Sequence, residues 1–525
     1  MGRKCEILWY SNHLKGSKLS DDQCRMLLKL HDITEENQGG IEELRNFTYY
    51  LTDGQVNEVI QNYTADVLEG QKIDNSILTN LQTVGISYMY VAKRVLLGDS
   101  VGLGKTVQVA GLAKYLTEEY NKDGYDFNVL YLTEKALVEE TRKKLIKFSG
   151  LYFDALTGVK KDVTEYIESG RIDNICASYS LVSSPHFIEF CQDFIKENGV
   201  SPFDMVVVDE SGSMLKSHTS QQYKIAKKLF ADNAEYVILM NAGAFEDKLD
   251  RLYNQLDFLD DTLLMNRKDF GNRYKVFDWT MGKPRHNGKY KNEENFRDLV
   301  KLRLLRRVRK TQGARMVNCS AEVITVPLSK EQKYWLKNSS SPNMAYNCPQ
   351  YFDETYPVTE AVNPKLGALK GVIEKIGTQP CIVYTVLKEP QYYIQRYLAE
   401  RGIDCEIMNG DTSKKEKDAL IARFKSGELR VLVTNVQRGL DFGNCDHAIF
   451  FSFSGNPNDM VQFEGRITRD FHIENKNIYV ILTDGKEKRR FMQEVKLKAQ
   501  ASDEFIGSDY SMILSLFLDK EDEGS

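Results

Sequence analysis

Asp99-Ser-Val-Gly-Leu-Gly-Lys-Thr106 is the stretch whose reading decides the fold. The apolar run Val95–Gly98 before it reads as a buried strand. Val107-Gln-Val-Ala-Gly-Leu-Ala-Lys-Tyr-Leu116 after it reads as a helix. A glycine-rich turn between a strand and a helix is the context a phosphate-binding loop requires. Gly102 and Gly104 let the backbone curl, so that the N–H groups of Val101, Gly102, Leu103, Gly104, Lys105 and Thr106 face a polyphosphate. The positive end of the following helix adds to this. Lys105 is placed to reach the β- and γ-phosphates, and Thr106 to offer its hydroxyl to Mg²⁺. The strict pattern G-x-x-x-x-G-K-[ST] is not met, because Asp99 stands where the first glycine would be.

Outward from this loop the same rhythm repeats. Between residues 76 and 260, β-rich runs at Val129–Leu132, Ile175–Ala177, Met205–Val208 and Tyr236–Met240 alternate with amphipathic helical stretches. Such alternation predicts an α/β lobe with a parallel sheet covered on both faces. Residues 261–360 lose the rhythm. They hold the basic segment Lys301–Lys310 and the irregular stretch Asn338–Pro357, read as a helical insertion and linker. From 361 to 485 the alternation returns, with runs at Cys381–Tyr384, Cys405–Met408, Val431–Val433, Ala448–Phe451 and Tyr479–Leu482. Residues 1–75 read as an accessory helical region and 486–525 as a helical tail with an acidic end. The expected fold class is therefore α/β, with two similar lobes, a helical insertion between them and a small helical N-terminal region.

A phosphate loop needs a partner that binds metal and activates water. Phe203-Asp-Met-Val-Val-Val-Asp209-Glu210 ends a buried strand in two carboxylates, at the sheet edge where open α/β sheets bind ligands. Asp209 would hold Mg²⁺ through water, and Glu210 would orient and deprotonate the attacking water.

Composition narrows the remainder. Nine cysteines, an odd count, without any C-x-x-C pair, argue against a disulfide framework or a zinc ribbon. The seven histidines show no metal-ligand spacing. No run of about 18 apolar residues suggests a membrane span, and the N-terminal residues lack the apolar core of a secretory signal. The net charge is −5, from 70 basic and 75 acidic side chains, so bulk charge does not announce a nucleic-acid binder. Binding to nucleic acid needs only a local basic stripe, so it is not excluded.

With these residues in place, the chain resembles the superfamily-two helicases, and within them the SWI/SNF-type ATPases, over roughly residues 78–485. Leu81-Gln82-Thr-Val-Gly85 looks like the family's adenine-reading glutamine motif, and Asp99 fits its D-E-x-G-L-G-K-T loop with Ser100 in place of Glu. Ala177-Ser178-Tyr179-Ser-Leu is similar to a segment that touches the nucleic-acid backbone. Leu249-Asp-Arg-Leu-Tyr253-Asn-Gln-Leu-Asp-Phe258-Leu, Leu304-Leu-Arg306-Arg307 and Val326-Pro-Leu-Ser-Lys-Glu-Gln332 resemble further family segments, the last a strand following the insertion. In the second half, Asn409-Gly-Asp-Thr-Ser413, Thr434-Asn-Val-Gln-Arg-Gly439-Leu-Asp441 and Gln462-Phe-Glu-Gly-Arg466-Ile-Thr-Arg469 resemble its C-terminal motifs. Two departures stand out. The D-E-A-H or D-E-x-x box reads Asp209-Glu-Ser-Gly212, and T-G-T-P reads Asn241-Ala-Gly-Ala244, which puts the coupling of nucleotide to track in doubt.

The resemblance implies two RecA-like lobes that bind ATP and Mg²⁺ and move on double-stranded DNA. It implies that Gln82 and Asp441 contact the nucleotide, that Arg466 and Arg469 act as arginine fingers, and that Ser178, Tyr179, Ser413 and Thr434 touch the track. Lobe closure would then gate hydrolysis. The basic cluster Arg303–Lys310 has two readings, a phosphate contact or a linker that braces the lobes. No segment reads as an unwinding pin, and the resemblance alone favours translocation on a duplex over strand separation. A strand-separating helicase on DNA or RNA and an ATP-gated DNA-binding scaffold remain alternatives. Few residues flank the motif-bearing core, which suggests the cytoplasm of a bacterium or of a virus-infected host.

Overall fold

The computed structural model describes residues 72–73, 76–78, 80–100, 102–242, 249–261, 264–280, 283–292, 296, 300, 303–307, 318–435, 445–452, 475–489 and 491. The chain divides into two compact units, residues 1–314 with 501–509, and residues 315–500 with 510–525. The expected N-terminal helices and most of the C-terminal tail lie outside the described residues.

The strands, numbered in chain order, begin with the short antiparallel pair β1 (Lys72–Ile73) and β2 (Ser76–Ile77). The first unit then contains β3 (Arg94–Leu97), β4 (Val129–Thr133), β5 (Asp154–Leu156), β6 (Ile175–Ser178), β7 (Met205–Val208), β8 (Tyr236–Met240), β9 (Lys275–Thr280), β10 (Lys283–Tyr290) and β11 (Leu304–Leu305). Seven of them form one sheet in the order β11-β3-β8-β7-β4-β6-β5, parallel throughout. Every residue of β3, β4, β6, β7 and β8 is buried, as expected of strands covered on both faces. Helices Asn80–Ala92, Lys105–Lys122, Val138–Ser149 and Leu249–Leu259 contribute apolar side chains to that core.

The second unit holds β12 (Asn318–Val326), β13 (Cys381–Tyr384), β14 (Cys405–Met408), β15 (Val431–Thr434), β16 (His447–Phe450) and β17 (Asn475–Thr483). They form a parallel six-stranded sheet in the order β12-β17-β16-β13-β15-β14. Lys365 is wholly buried beneath it. Its ammonium donates to Glu487 at 2.8 Å, to the Asn347 side-chain oxygen at 2.7 Å and to the Phe451 carbonyl at 3.2 Å.

Two features of residues 261–360 correct the helical reading. Residues Lys275–Tyr290 form an antiparallel hairpin, β9 with β10, after the helix Arg267–Tyr274. The basic segment also turns out extended where it is described. Leu304 and Leu305 pair in parallel with Leu96 and Leu97 as an outer strand of the first sheet. The amides of Leu96, Gly98 and Ser100 donate to the carbonyls of Arg303, Leu305 and Arg307 at 2.6, 2.8 and 3.0 Å. Without this cover β3 would expose a row of unpaired backbone groups beside the glycine-rich loop, and pairing there outweighs the helical propensity of leucine and arginine.

Candidate nucleotide site

All seven strands of the first sheet run the same way, so the loops after β3, β4, β6, β7 and β8 gather at one carboxyl edge. The loop after β3 is the glycine-rich one. Gly102 and Gly104 take φ values of 89° and 78°, which side-chain-bearing residues rarely adopt, and Gly104 caps the helix that starts at Lys105. A Cβ on Gly104 would also come within 2.5 Å of the Gln82 amide nitrogen. Gln82 therefore lies against the loop, on the helix Asn80–Ala92. Leu103 is buried, Thr106 sits in the first helical turn, and Val101 lies outside the described residues. The Lys105 ammonium donates to the carbonyls of Asp99 at 2.6 Å and Ser100 at 3.3 Å. Burial pushes its pKa down to about 8, although the charges of Asp99 and Glu210 partly support the ammonium.

Asp99 is wholly buried, and an arginine holds it there. Arg307 donates Nε to Asp99 Oδ1 at 2.9 Å and Nη2 to Oδ2, while Gln108 Nε2 donates to Oδ2 at 3.1 Å. Arg307 Nη2 also meets Gln108 Oε1 at 2.6 Å. Gly85 faces this cluster, and a side chain there would collide with Gln108 and Arg307. Next to it, Arg306 donates to the carbonyls of Gly98 and, at 2.6 Å, Ala242. Arg303 is buried on Asp260 at 2.7 Å. Arg303, Arg306 and Arg307 thus brace the first unit itself rather than forming a linker between lobes. Lys301, Leu302 and residues 308–310 lie outside the described residues.

The loop after β7 carries the two carboxylates. The Asp209 amide continues the ladder to Leu132 O at 2.9 Å. Glu210 then takes a left-handed conformation, φ 45° and ψ 48°, and its amide donates to Asp209 Oδ1 at 3.0 Å. A left-handed glutamate costs on the order of 1 kcal/mol, and such strain concentrates at functional turns. Burial, and then the neighbouring Glu210 charge, raise the Asp209 pKa to about 6, with Lys105 opposing. Tyr179, on the loop after β6, donates its hydroxyl to the Asp209 carbonyl.

A buried amide network missed by sequence reading runs from this loop. Gln255, on the helix Leu249–Leu259, accepts from Ser211 Oγ at 2.7 Å and from Asn241 Nδ2 at 3.0 Å through one oxygen, Oε1. The two places where the chain departs from the family pattern, Ser211 and Asn241, are thus wired to each other. Nothing local marks Gln255, a polar residue on an otherwise apolar helix face.

The other expected contacts are dispersed. Ser178 is buried and donates to the Thr157 carbonyl at 2.8 Å. Ser413 caps the helix Lys414–Lys425 through a reciprocal capping box with Glu416. Thr434 ends β15, buried, and its carbonyl accepts from the Thr385 amide at 2.9 Å. Asp441, Arg466 and Arg469 lie outside the described residues.

Two buried hydroxyls bear on metal binding. Tyr131 and Thr133, at alternate positions of β4, each have a side-chain oxygen buried with no hydrogen-bond partner. Asp209 and Thr106 face Tyr131. Oxygen-rich and partly unsatisfied, this corner fits a hydrated divalent cation such as Mg²⁺, which keeps most of its waters. Among the described residues no group of three or more His, Cys, Asp or Glu is placed to hold a metal ion, and no helix is long and apolar enough to cross a membrane.

A family model described as the SNF2-related domain matches residues 81–361, more than half of the 525 residues. The chain belongs to the SNF2-related family. A helicase conserved C-terminal domain matches residues 364–470. With both domains and the loop and carboxylate residues in one site, the protein is an ATP-hydrolysing enzyme of the helicase class. It is 24% identical over 433 residues to the uncharacterized ATP-dependent helicase YqhH of Bacillus subtilis, covering 73% of this chain and 72% of that one. It is 21% identical over 439 residues to the SWI/SNF-related matrix-associated actin-dependent regulator of chromatin subfamily A-like protein 1 of Xenopus tropicalis. That match covers 79% of this chain and 44% of the relative, so the chain spans less than half of the frog protein. Among solved structures, the Sulfolobus solfataricus SWI2/SNF2 ATPase core in complex with dsDNA is 17% identical with a TM-score of 0.38, covering 82% of this chain and 96% of that one.

Proposed function

We propose that this SNF2-family ATPase translocates on double-stranded DNA and hydrolyses ATP only when its two lobes close on the nucleotide. The observation that carries the reading is the pairing of a phosphate loop with Asp209–Glu210 at one sheet edge, while the family's two arginines, Arg466 and Arg469, lie in the C-terminal helicase domain. Lys105 and the loop amides bind the phosphates, Gln82 reads the adenine, and Glu210 takes the proton of the attacking water. Asp441 adds a nucleotide contact from the other domain. Thr106 and, through water, Asp209 would hold Mg²⁺, which when bound would supply positive charge against the phosphates. Arg466 and Arg469 complete the site on closure, where an arginine finger contributes about 10³–10⁵ in rate.

Lobe opening and closing then moves the grip on the phosphate backbone, with Ser178, Tyr179, Ser413 and Thr434 in the segments that face the track. Such contacts are largely independent of sequence. Tyr179 also touches Asp209, which offers a short path from track to carboxylates. The buried Ser211–Gln255–Asn241 network supports coupling despite the altered 241–244 segment, and weighs against a purely scaffolding role. The proposed setting is the cytoplasm of a bacterium or of a virus-infected host cell. Replacing Arg466 or Arg469 by Ala tests the closure step. ATP binding should persist while turnover falls at least a hundredfold; turnover within a few-fold of wild type would sink it.

The antiparallel pair Lys275–Thr280 and Lys283–Tyr290 favours a second reading, strand separation, because a two-stranded ribbon suits a groove or a pin. Phe277, on its first strand, is 38% exposed. A tailed duplex carrying a fluorophore and a quencher decides between them. Release of the strand during ATP turnover selects separation, and turnover without release selects translocation.

A further inference from the structure

Tyr131 occupies an unusual position. β4 is buried at all five positions, and its remaining core members, Val129, Leu130 and Leu132, are aliphatic. Tyr131 is wholly buried, yet its hydroxyl has no hydrogen-bond partner, and the groups that face it are the Asp209 carboxylate and the Thr106 hydroxyl. An unsatisfied buried hydroxyl is costly, and phenylalanine would fill the same space without that penalty. Two positions along the same strand, the Thr133 hydroxyl is buried and unsatisfied as well. Two such groups at one corner, beside the two residues assigned to the metal, call for a partner that arrives with the ligand.

We propose that Tyr131 is a positioning residue of the Mg²⁺ site. With the cation bound, its O–H would donate to the Asp209 carboxylate, and its oxygen would accept a hydrogen from a water that the cation carries. This fixes the carboxylate as an outer-sphere ligand and selects a cation that keeps its hydration shell, as Mg²⁺ does. The proposal rests on the metal site assigned above and adds to it a residue on a different strand. Tyr131 touches the carboxylate rather than the reacting phosphate, so its effect is read in metal dependence before it is read in turnover. Neighbouring charges are Asp209, Glu210 and Lys105, all already placed in the site.

The test is a Mg²⁺ titration of fluorescent ADP binding to the full chain, comparing wild type with Tyr131→Phe, and with Tyr131→Met as a second variant without a hydroxyl. Both variants should raise the Mg²⁺ concentration for half-maximal binding about tenfold, the lower end of what loss of such outer partners costs. ADP affinity without metal should stay within about twofold. The melting temperature of nucleotide-free Tyr131→Phe should equal or exceed that of wild type, because no hydrogen bond is lost. A metal midpoint unchanged in both variants, or a lowered melting temperature with an unchanged midpoint, overturns the proposal and leaves Tyr131 a core residue. If wild-type binding does not respond to Mg²⁺ at all, the metal site itself is wrong and this proposal falls with it.

Discussion

Arg307 and Asp99 form a two-point ion pair in which both side chains are wholly buried, Nε reaching Oδ1 at 2.9 Å. It joins the start of the phosphate loop to the outermost strand of the sheet. A buried pair of this kind contributes little net stability compared with an apolar replacement, but breaking it by removing one partner is expensive, about 3–5 kcal/mol. Arg307→Met is therefore expected to lower the unfolding free energy by that amount and to weaken nucleotide binding, since Asp99 carries the first turn of the loop. Asp99→Leu combined with Arg307→Met should recover a large part of the stability. Urea unfolding of the wild type and these two variants measures this.

The second unit has its own buried pair, Lys365 with Glu487 at 2.8 Å. Glu487 also accepts from the Thr483 amide at 2.7 Å and from its hydroxyl at 2.6 Å. Glu487→Ala leaves an ammonium buried without its counter-charge and should destabilise by about 3–5 kcal/mol. The unfolding transition of Glu487→Ala, followed by fluorescence, should shift to lower denaturant than that of the wild type, while ADP binding by the folded protein stays intact.

Lys105 and Asp209 make the site sensitive to pH in opposite directions. The Lys105 pKa is lowered to about 8 in the nucleotide-free protein, so above pH 8 nucleotide binding must take up a proton. Affinity should be flat below pH 8 and fall as pH rises past it. Calorimetry in buffers of different ionisation enthalpy should show proton uptake near pH 8.5. On the acid side, Asp209 with its pKa raised to about 6 binds protons in competition with Mg²⁺ below pH 6.

The same shift predicts a stability effect. The folded pKa of Asp209 lies above the ordinary carboxylate value of 3.8, so the folded state holds more protons than the unfolded state between pH 3.8 and about 6. Stability falls across that window and the deficit persists at neutral pH. Asp209→Asn should raise the melting temperature of the nucleotide-free protein at pH 7.5 by a few degrees, about 2–4 °C per kcal/mol, while abolishing turnover. A lower melting temperature in this variant would contradict the assignment.

Much of this architecture could be read before any coordinates. The ten apolar runs read as strands all lie on strands, within a few residues, because in parallel sheets buried on both faces the apolar run itself is the signal. The phosphate loop announced itself through Gly104, whose geometry admits no side chain. What escaped has physical reasons. β11 has two residues flanked by arginines, and its partner is more than two hundred residues away, so no local pattern reveals it. The hairpin at 275–290 is mixed and polar, without the alternation that marks a half-buried strand. Tyr131 and Gln255 look like ordinary strand and helix residues, and acquire meaning only from the carboxylates and amides that three different elements bring beside them.

The most direct test of the account is phosphate release by the purified chain with and without blunt duplex DNA, for the wild type and Glu210→Gln. We expect the duplex to raise wild-type turnover at least tenfold, and Glu210→Gln to bind ATP yet release no phosphate above background. Turnover that ignores every nucleic acid offered, or that survives in Glu210→Gln, would contradict it.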